Sequence, residues 1–166
     1  MLEIETIRKI SLFKGMDEEQ IKALQPYLKQ ASFPKGSYIL RENTTGDQIF
    51  ILVEGTVSVT KDLVKGFDED QASTEKVLVT LKGSSLPTFG ENGILGHAPR
   101  NANVIAKSDC VLYTLSKNDF ESFAAANFQA AYYIMLNTAR VLSQRLNTTD
   151  ENLVKLATAL YIAVQQ

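Results

Sequence analysis

All nine glycines and all four prolines of this 166-residue chain lie before residue 100, and residues 100–166 contain neither. Glycine frees the backbone torsion φ and proline fixes it, so together they cut a chain into turns. The first hundred residues must therefore fold as short elements, whereas the remainder can run as long helices. The architecture changes near residue 116. Residues 1–116 read as N-terminal helices plus a strand-rich unit, and residues 117–166 as C-terminal helices for capping and dimerisation. No Ser/Gly- or Pro-rich linker divides them, so one functional domain is expected.

Ile4 to Leu28 reads as short helices. Asp17 is placed to cap one of them, with Ile21, Leu24 and Leu28 at helical spacing behind it. Phe33-Pro34-Lys35-Gly36 is a turn. Then come Ser37–Arg41, Gln48–Val53, Thr56–Thr60, Val77–Leu81, Asn103–Ala106 and Val111–Leu115. Each is short, β-branched or apolar, and bounded by turn residues, which points to a sandwich or jelly-roll barrel rather than a parallel sheet. Residues 61–76, with three basic and five acidic side chains, interrupt the strands as a polar surface hairpin.

Composition removes several function classes. A net charge of −2 exerts no global pull on nucleic acid or an anionic membrane. His97 is the single histidine and Cys110 the single cysteine, which argues against a multi-imidazole metal site, a disulfide framework and enzyme chemistry of the cupin type. His97 reads as a solvated side chain and Cys110 as a small hydrophobe in a strand. No apolar run approaches ~18 residues. The start, MLEIETIRKI, lacks a signal-peptide h-region, so a cytoplasmic location is expected.

After a short helix, DFESFAAA, capped by Asn118 or Ser116, the tail carries a second period. Met135, Ala139, Leu142, Leu146, Thr149, Leu153, Leu156 and Leu160 step alternately by four and three. This is a heptad seam with one polar member, Thr149, and it predicts a homodimer through residues 135–160.

Phe89-Gly90-Glu91-Asn92-Gly93-Ile94-Leu95-Gly96-His97-Ala98-Pro99-Arg100-Asn101-Ala102 is the stretch with chemical content. Its glycines let the backbone bend tightly and approach a ligand. A helical turn opening near Gly93 would aim free backbone N–H groups outward, toward an anion. Arg100 follows Glu91 by nine residues and could grip a phosphate with its planar fork of donors. A Glu91 carboxylate only accepts hydrogen bonds, so it suits a sugar hydroxyl and repels a phosphate. The pair suggests a phosphate joined to a sugar.

That stretch, Phe89-Gly90-Glu91 with Ile94-Leu95, Pro99-Arg100, Ala102 and Val104, resembles the phosphate-binding cassette of cyclic nucleotide-binding domains, here spanning 83–104. Leu12-Phe13-Lys14-Gly15-Met16, Phe33-Pro34-Lys35-Gly36, Gly46-Asp47, Glu54-Gly55-Thr56-Val57 and Asp109-Cys110 resemble further landmarks of the same family in order. The resemblance implies a mixed β and α fold: an antiparallel jelly-roll barrel of about eight strands, short N-terminal helices and a long C-terminal helical segment. It also implies that Glu91 accepts a hydrogen bond from the ribose 2′-hydroxyl and that Arg100 pairs with the cyclic phosphate. Gly90 and backbone N–H groups near Gly93, Ile94 and Ala102 would complete the cradle. Arg145-Leu146-Asn147-Thr148-Thr149-Asp150 resembles the long dimer helix of catabolite-activator-type regulators. That match carries a base contact onto Thr149. Asp150 departs from the family's Ser and carries no role over.

The implied function is a cyclic nucleotide sensor whose ligand repositions the C-terminal helix, acting through an unidentified effector protein. No DNA-binding segment, enzyme segment or cofactor is expected. Cyclic AMP is favoured, because Thr149 suits adenine and the Thr typical of cyclic-GMP binders is missing after Arg100. Asn101, which stands there, could still accept from a guanine amine, so cyclic GMP remains possible. Three departures motivate an alternative, a docking or dimerisation module that has lost its ligand: the long Gly83–Phe89 approach, Asn92 in the short helix, and Asn101.

Overall fold

The structure is a computed structural model that describes residues 1–62, 75–96 and 99–165. Helix α1 (Ile4–Lys9), a 3-10 turn (Ser11–Phe13) and helix α2 (Glu18–Leu24) open the chain. Asp17 caps α2 in a reciprocal capping box with Gln20, as the acid–x–x–Gln spacing dictates. The strands are β1 (Lys29–Phe33), β2 (Tyr38–Leu40), β3 (Gln48–Glu54), β4 (Thr56–Asp62), β5 (Glu75–Lys82), β6 (Thr88–Phe89), β7 (Asn103–Ala106) and β8 (Cys110–Ser116). Helix α3 (Asn92–Leu95) lies between β6 and β7, and α4 (Lys117–Ala126) and α5 (Phe128–Val164) close the chain.

Two antiparallel four-stranded sheets, ordered β1-β8-β3-β6 and β2-β7-β4-β5, form the roll. β1 was hidden in the sequence because its side chains, KQASF, show no apolar alternation. It exists through its ladder to β8, from Lys29 opposite Thr114 to Phe33 opposite Cys110. β6 is only two residues long and offers no period to read. The charged hairpin expected at 61–76 lies mostly outside the described residues. Its ends, Lys61–Asp62 and Glu75–Lys76, are the paired tips of β4 and β5.

β3 explains the unbroken apolar run Ile49–Leu52. Side chains alternate faces along a strand. Phe50 and Leu52 point between the sheets, with Val57, Phe89, Val104 and Leu112. Ile49 and Ile51 point to the other face, into a core shared with α1, α2, Phe123, Ala130 and Ile134. Both faces are buried, so no polar residue interrupts. Cys110 is buried in the first of these cores.

Ser116, rather than Asn118, caps α4, its hydroxyl oxygen accepting from the Asp119 amide. The 37-residue α5 follows after Asn127. Its buried face, Ala130, Ala131, Ile134, Asn137 and Thr138, packs on the body. Asn137 fixes the helix in place: its amide donates to the carbonyls of Leu12 (3.0 Å) and Lys14 (2.8 Å). Gly15, at φ +97°, lies against the Tyr133 ring, where a Cβ would stand 2.9 Å away. Among the described residues, no helix is long and apolar enough to cross a membrane.

Asn137→Ala leaves two carbonyls without their donor at a buried position. A loss of about 2 kcal/mol or more is expected, measured by urea unfolding. A change below ~0.5 kcal/mol would show that these bonds do not hold α5 to the body.

Candidate functional site

The site is built from the ends of β6 and β3. β6 pairs with β3, Phe89 opposite Phe50, and the two rings stack at 5.5 Å between the sheets. Gly90, at φ +80°, then turns the chain, a conformation that an L side chain rarely adopts. Glu91 immediately precedes α3, which lies directly on the start of β3. A Cβ on Gly93 would stand 2.5 Å from the Gln48 carbonyl oxygen and 2.6 Å from its nitrogen. The cassette therefore approaches β3 backbone to backbone, which only glycine permits at that point.

Arg100 returns to the same place. Its own backbone is clamped by the β2–β3 loop, where the Asn43 amide donates to the Arg100 carbonyl and the Arg100 amide to the Thr44 carbonyl, both at 2.8 Å. Its guanidinium is buried and donates to the carbonyls of Gly90 (2.8 Å) and Gln48 (2.9 Å). It is slotted between Gly46 and Gly90, where a Cβ would meet it at 2.7 Å and 2.9 Å respectively. Burial pulls its pKa below the ordinary value, and the nearby Asp47 and Glu91 carboxylates push it back up. A guanidinium keeps its proton in proteins, so this is a buried cation whose hydrogen bonds end on neutral oxygens. Arg100, Asp47, Gln48, Thr44, Arg41 and Tyr38 line a cavity of about 350 Å³, within the size range of small-molecule sites.

Glu91 is buried as well, but it faces a different partner. Its Oε2 accepts from Arg145 Nη1 at 2.9 Å, and Arg145 Nη2 donates to the Thr88 carbonyl at 2.9 Å. Among the described residues, Glu91 Oε1 meets only the Thr88 hydroxyl, at 3.5 Å. One oxygen of this carboxylate is thus held by α5, and the other keeps most of its accepting capacity.

Among the residues singled out from sequence, the fold gathers Gly90, Glu91, Gly93, Ile94 and Arg100. The amides of Gly93 and Ile94 differ from expectation. They donate to the carbonyls of Gly90 (2.9 Å) and Glu91 (3.2 Å), each three residues back, so 3-10-type bonds close the turn that leads into α3. Ala102 is half-buried at the edge, and Asn101 is exposed. Thr149 is exposed on α5, its hydroxyl donating to the Arg145 carbonyl at 2.9 Å. His97 lies outside the described residues.

Sequence reasoning gave no role to Arg145, Thr88 or the Gln48 carbonyl. Backbone acceptors leave no sequence signal at all. Arg145 had a faint one, as a cation adjoining the heptad seam and opening the segment that resembles a dimer helix.

The sequence model of the cyclic nucleotide-binding domain matches residues 30–127, more than half of the chain. The chain belongs to this family. It is 30% identical over 115 residues to the cGMP-dependent protein kinase egl-4 of Caenorhabditis elegans, which covers 69% of this chain and 14% of the kinase. It is 25% identical over 152 residues to the CRP-like cAMP-activated global transcriptional regulator of Mycobacterium tuberculosis, covering 92% of this chain and 62% of that protein. The chain therefore spans less than two thirds of either relative. The fold is that of the Thermus thermophilus catabolite activator protein, with a TM-score of 0.74, 22% identity, and coverage of 89% of this chain and 63% of that one. The antiparallel roll and the long C-terminal helix agree with the family's expected architecture.

Because Glu91 is what Arg145 grips, Glu91→Gln should loosen the attached turn of α5. Amide exchange over residues 142–149 should quicken about fivefold, the scale of a partly exposed ion pair, with β3 unchanged. Equal exchange in both proteins would remove the link between cassette and helix.

Proposed function

We propose that this domain is a cyclic nucleotide sensor that favours cyclic AMP and uses α5 as its output element. The observation that carries the reading is the buried Arg100 cation, whose side-chain hydrogen bonds, among the described residues, end on the neutral carbonyls of Gly90 and Gln48. Such a group is stabilised by an anion, and a cyclic phosphate supplies one whose two exocyclic oxygens match the planar fork of guanidinium donors. Glu91 Oε1 is the acceptor for the ribose 2′-hydroxyl. Gly90, Gly93, Ile94 and Ala102 let the backbone approach the ligand, with the Gly93 and Ile94 amides exchanging their present partners for phosphate oxygens. Thr149 and Asn101 lie toward the base.

Arg145 gives ligand binding a route to the helix. A ribose hydroxyl on Glu91 shares its carboxylate with Arg145, so the ligand acts on the residue that positions α5. A shift of the helix then follows only as far as the ligand prefers one of its arrangements. The free face of α5, with Leu146, Leu153, Leu156 and Leu160 each more than 60% exposed, is the surface for a homodimer through residues 135–160. An effector protein in the cytoplasm, reading that helix, completes the scheme. Cyclic AMP is favoured over cyclic GMP because Asn101 replaces the Thr that marks cyclic-GMP binders, and Thr149 is suited to adenine.

One observation favours a second reading, a docking module without ligand: Glu91 and Arg100 already have partners inside the chain. Titration calorimetry with cyclic AMP and cyclic GMP separates the two. Saturable heat with tighter binding of cyclic AMP is expected, and ligand at about 100 times its dissociation constant should add about 2.7 kcal/mol of stability. Arg100→Ala should weaken binding by about 2 kcal/mol or more, roughly thirtyfold, because it leaves the phosphate without its cation. No heat and no thermal shift with folded protein would leave only the docking reading.

A further inference from the structure

The exposed seam of α5 is longer than its apolar core suggests. Phe128 and Tyr132 continue the four-three stepping upstream of Met135, and both are exposed on the face opposite Ala130, Ile134 and Asn137. The stripe therefore runs without a break from residue 128 to residue 160. In heptad terms Ala139, Leu146 and Leu153 are a positions, and Leu142, Thr149 and Leu156 are d positions. The flanking g position precedes each a, and e follows each d. Along all of α5 only two flanking positions carry charge: Arg145 at g and Asp150 at e.

They are five residues apart, and five is the offset at which g of one helix meets e of its neighbour in a parallel, in-register pair. We propose that Arg145 forms an ion pair with Asp150 of the partner subunit in a parallel dimer, so that the cation holding Glu91 is shared between two chains. The inference rests on the dimer reading above and names its register and its charged contact.

Arg145 has room for this role. It has five N–H donors and, among the described residues, spends two, on Glu91 and on the Thr88 carbonyl, while its side chain remains 50% exposed. Asp150 is exposed, and among the described residues no ion pair joins it to its own chain. An antiparallel pair would set g against g and e against e, wasting both charges or opposing them. The parallel pair uses both, twice over by two-fold symmetry. It also sets Thr149 against its own copy, the arrangement in which a lone polar d residue specifies register. Glu91 of one chain and a carboxylate of the partner then flank one guanidinium, joining assembly to the cassette.

Sedimentation equilibrium of the full chain tests this, with Asp150→Asn, Asp150→Arg, the double variant Asp150→Arg/Arg145→Gln, and Glu151→Gln as a control on the outer face. Wild type should dimerise, and Asp150→Asn should weaken the dimer about fivefold, the scale of two exposed pairs. Asp150→Arg should weaken it about thirtyfold by setting two cations against each other. Adding Arg145→Gln to that variant should tighten the dimer again, and Glu151→Gln should leave it unchanged. A monomeric wild type would end the dimer reading, and the inference with it. A dimer indifferent to Asp150→Arg would overturn the ion pair while leaving the dimer standing. Weakening that Arg145→Gln does not relieve, or that Glu151→Gln reproduces, would also overturn it.

Discussion

Strand β3 is buried on both faces, and the positions of the cassette and the long helix both follow from that burial. One face, Phe50 and Leu52, closes the space between the sheets; the other, Ile49 and Ile51, seats the N-terminal helices and the base of α5. The strand consequently cannot shift or tilt without disturbing two cores, which makes its first residue a fixed reference. The site leans on this strand three times, twice at Gln48. Arg100 donates to the Gln48 carbonyl, Gly93 rests against the Gln48 backbone, and β6 reaches Glu91 by pairing with Phe50 and Ile51. A binding loop with few contacts of its own is held in place by a strand that has many.

Charge is distributed so that neither site residue is left without hydrogen-bond partners. Arg100 is buried with no directly bonded anion among the described residues, its positive charge favoured by Asp47 and Glu91 at longer range. Glu91 is buried with an anion's usual partner, but that partner comes from α5, fifty-four residues away in sequence. The same carboxylate thus belongs both to the cassette and to the helix. Coupling between a ligand and a helix does not need a long chain of contacts when one residue touches both. Arg145 itself stays half-exposed while it holds the buried Glu91.

Much of this was legible beforehand because it is local. The Asp17 cap of α2, the six strands with β-branched or apolar runs, the turn glycines and the heptad stepping all depend on residues close in sequence, where propensity and period act directly. The cassette was legible for the same reason: Phe89-Gly90-Glu91 and Pro99-Arg100 lie on one short stretch. β1 was not, because KQASF becomes a strand only by pairing with β8, some eighty residues later. β6 was not, because two residues carry no period. The amides of Gly93 and Ile94 were read as free, but the turn at Gly90-Glu91 offers its carbonyls three residues back and takes both.

By itself, then, the sequence determined most of the kinds of element, a short glycine-rich stretch carrying one acid and one arginine, and an apolar stripe at heptad spacing along the tail. These are consequences of backbone freedom, side-chain chemistry and period, which need no partner to be expressed. Only the tertiary structure decided what each charged residue meets: Arg100 the ends of two backbone segments, and Glu91 an arginine from the far end of the chain. Buried charges are positioned by whatever donors and acceptors the fold brings within about 3 Å, and such distances are set by packing between distant segments rather than by order along the chain.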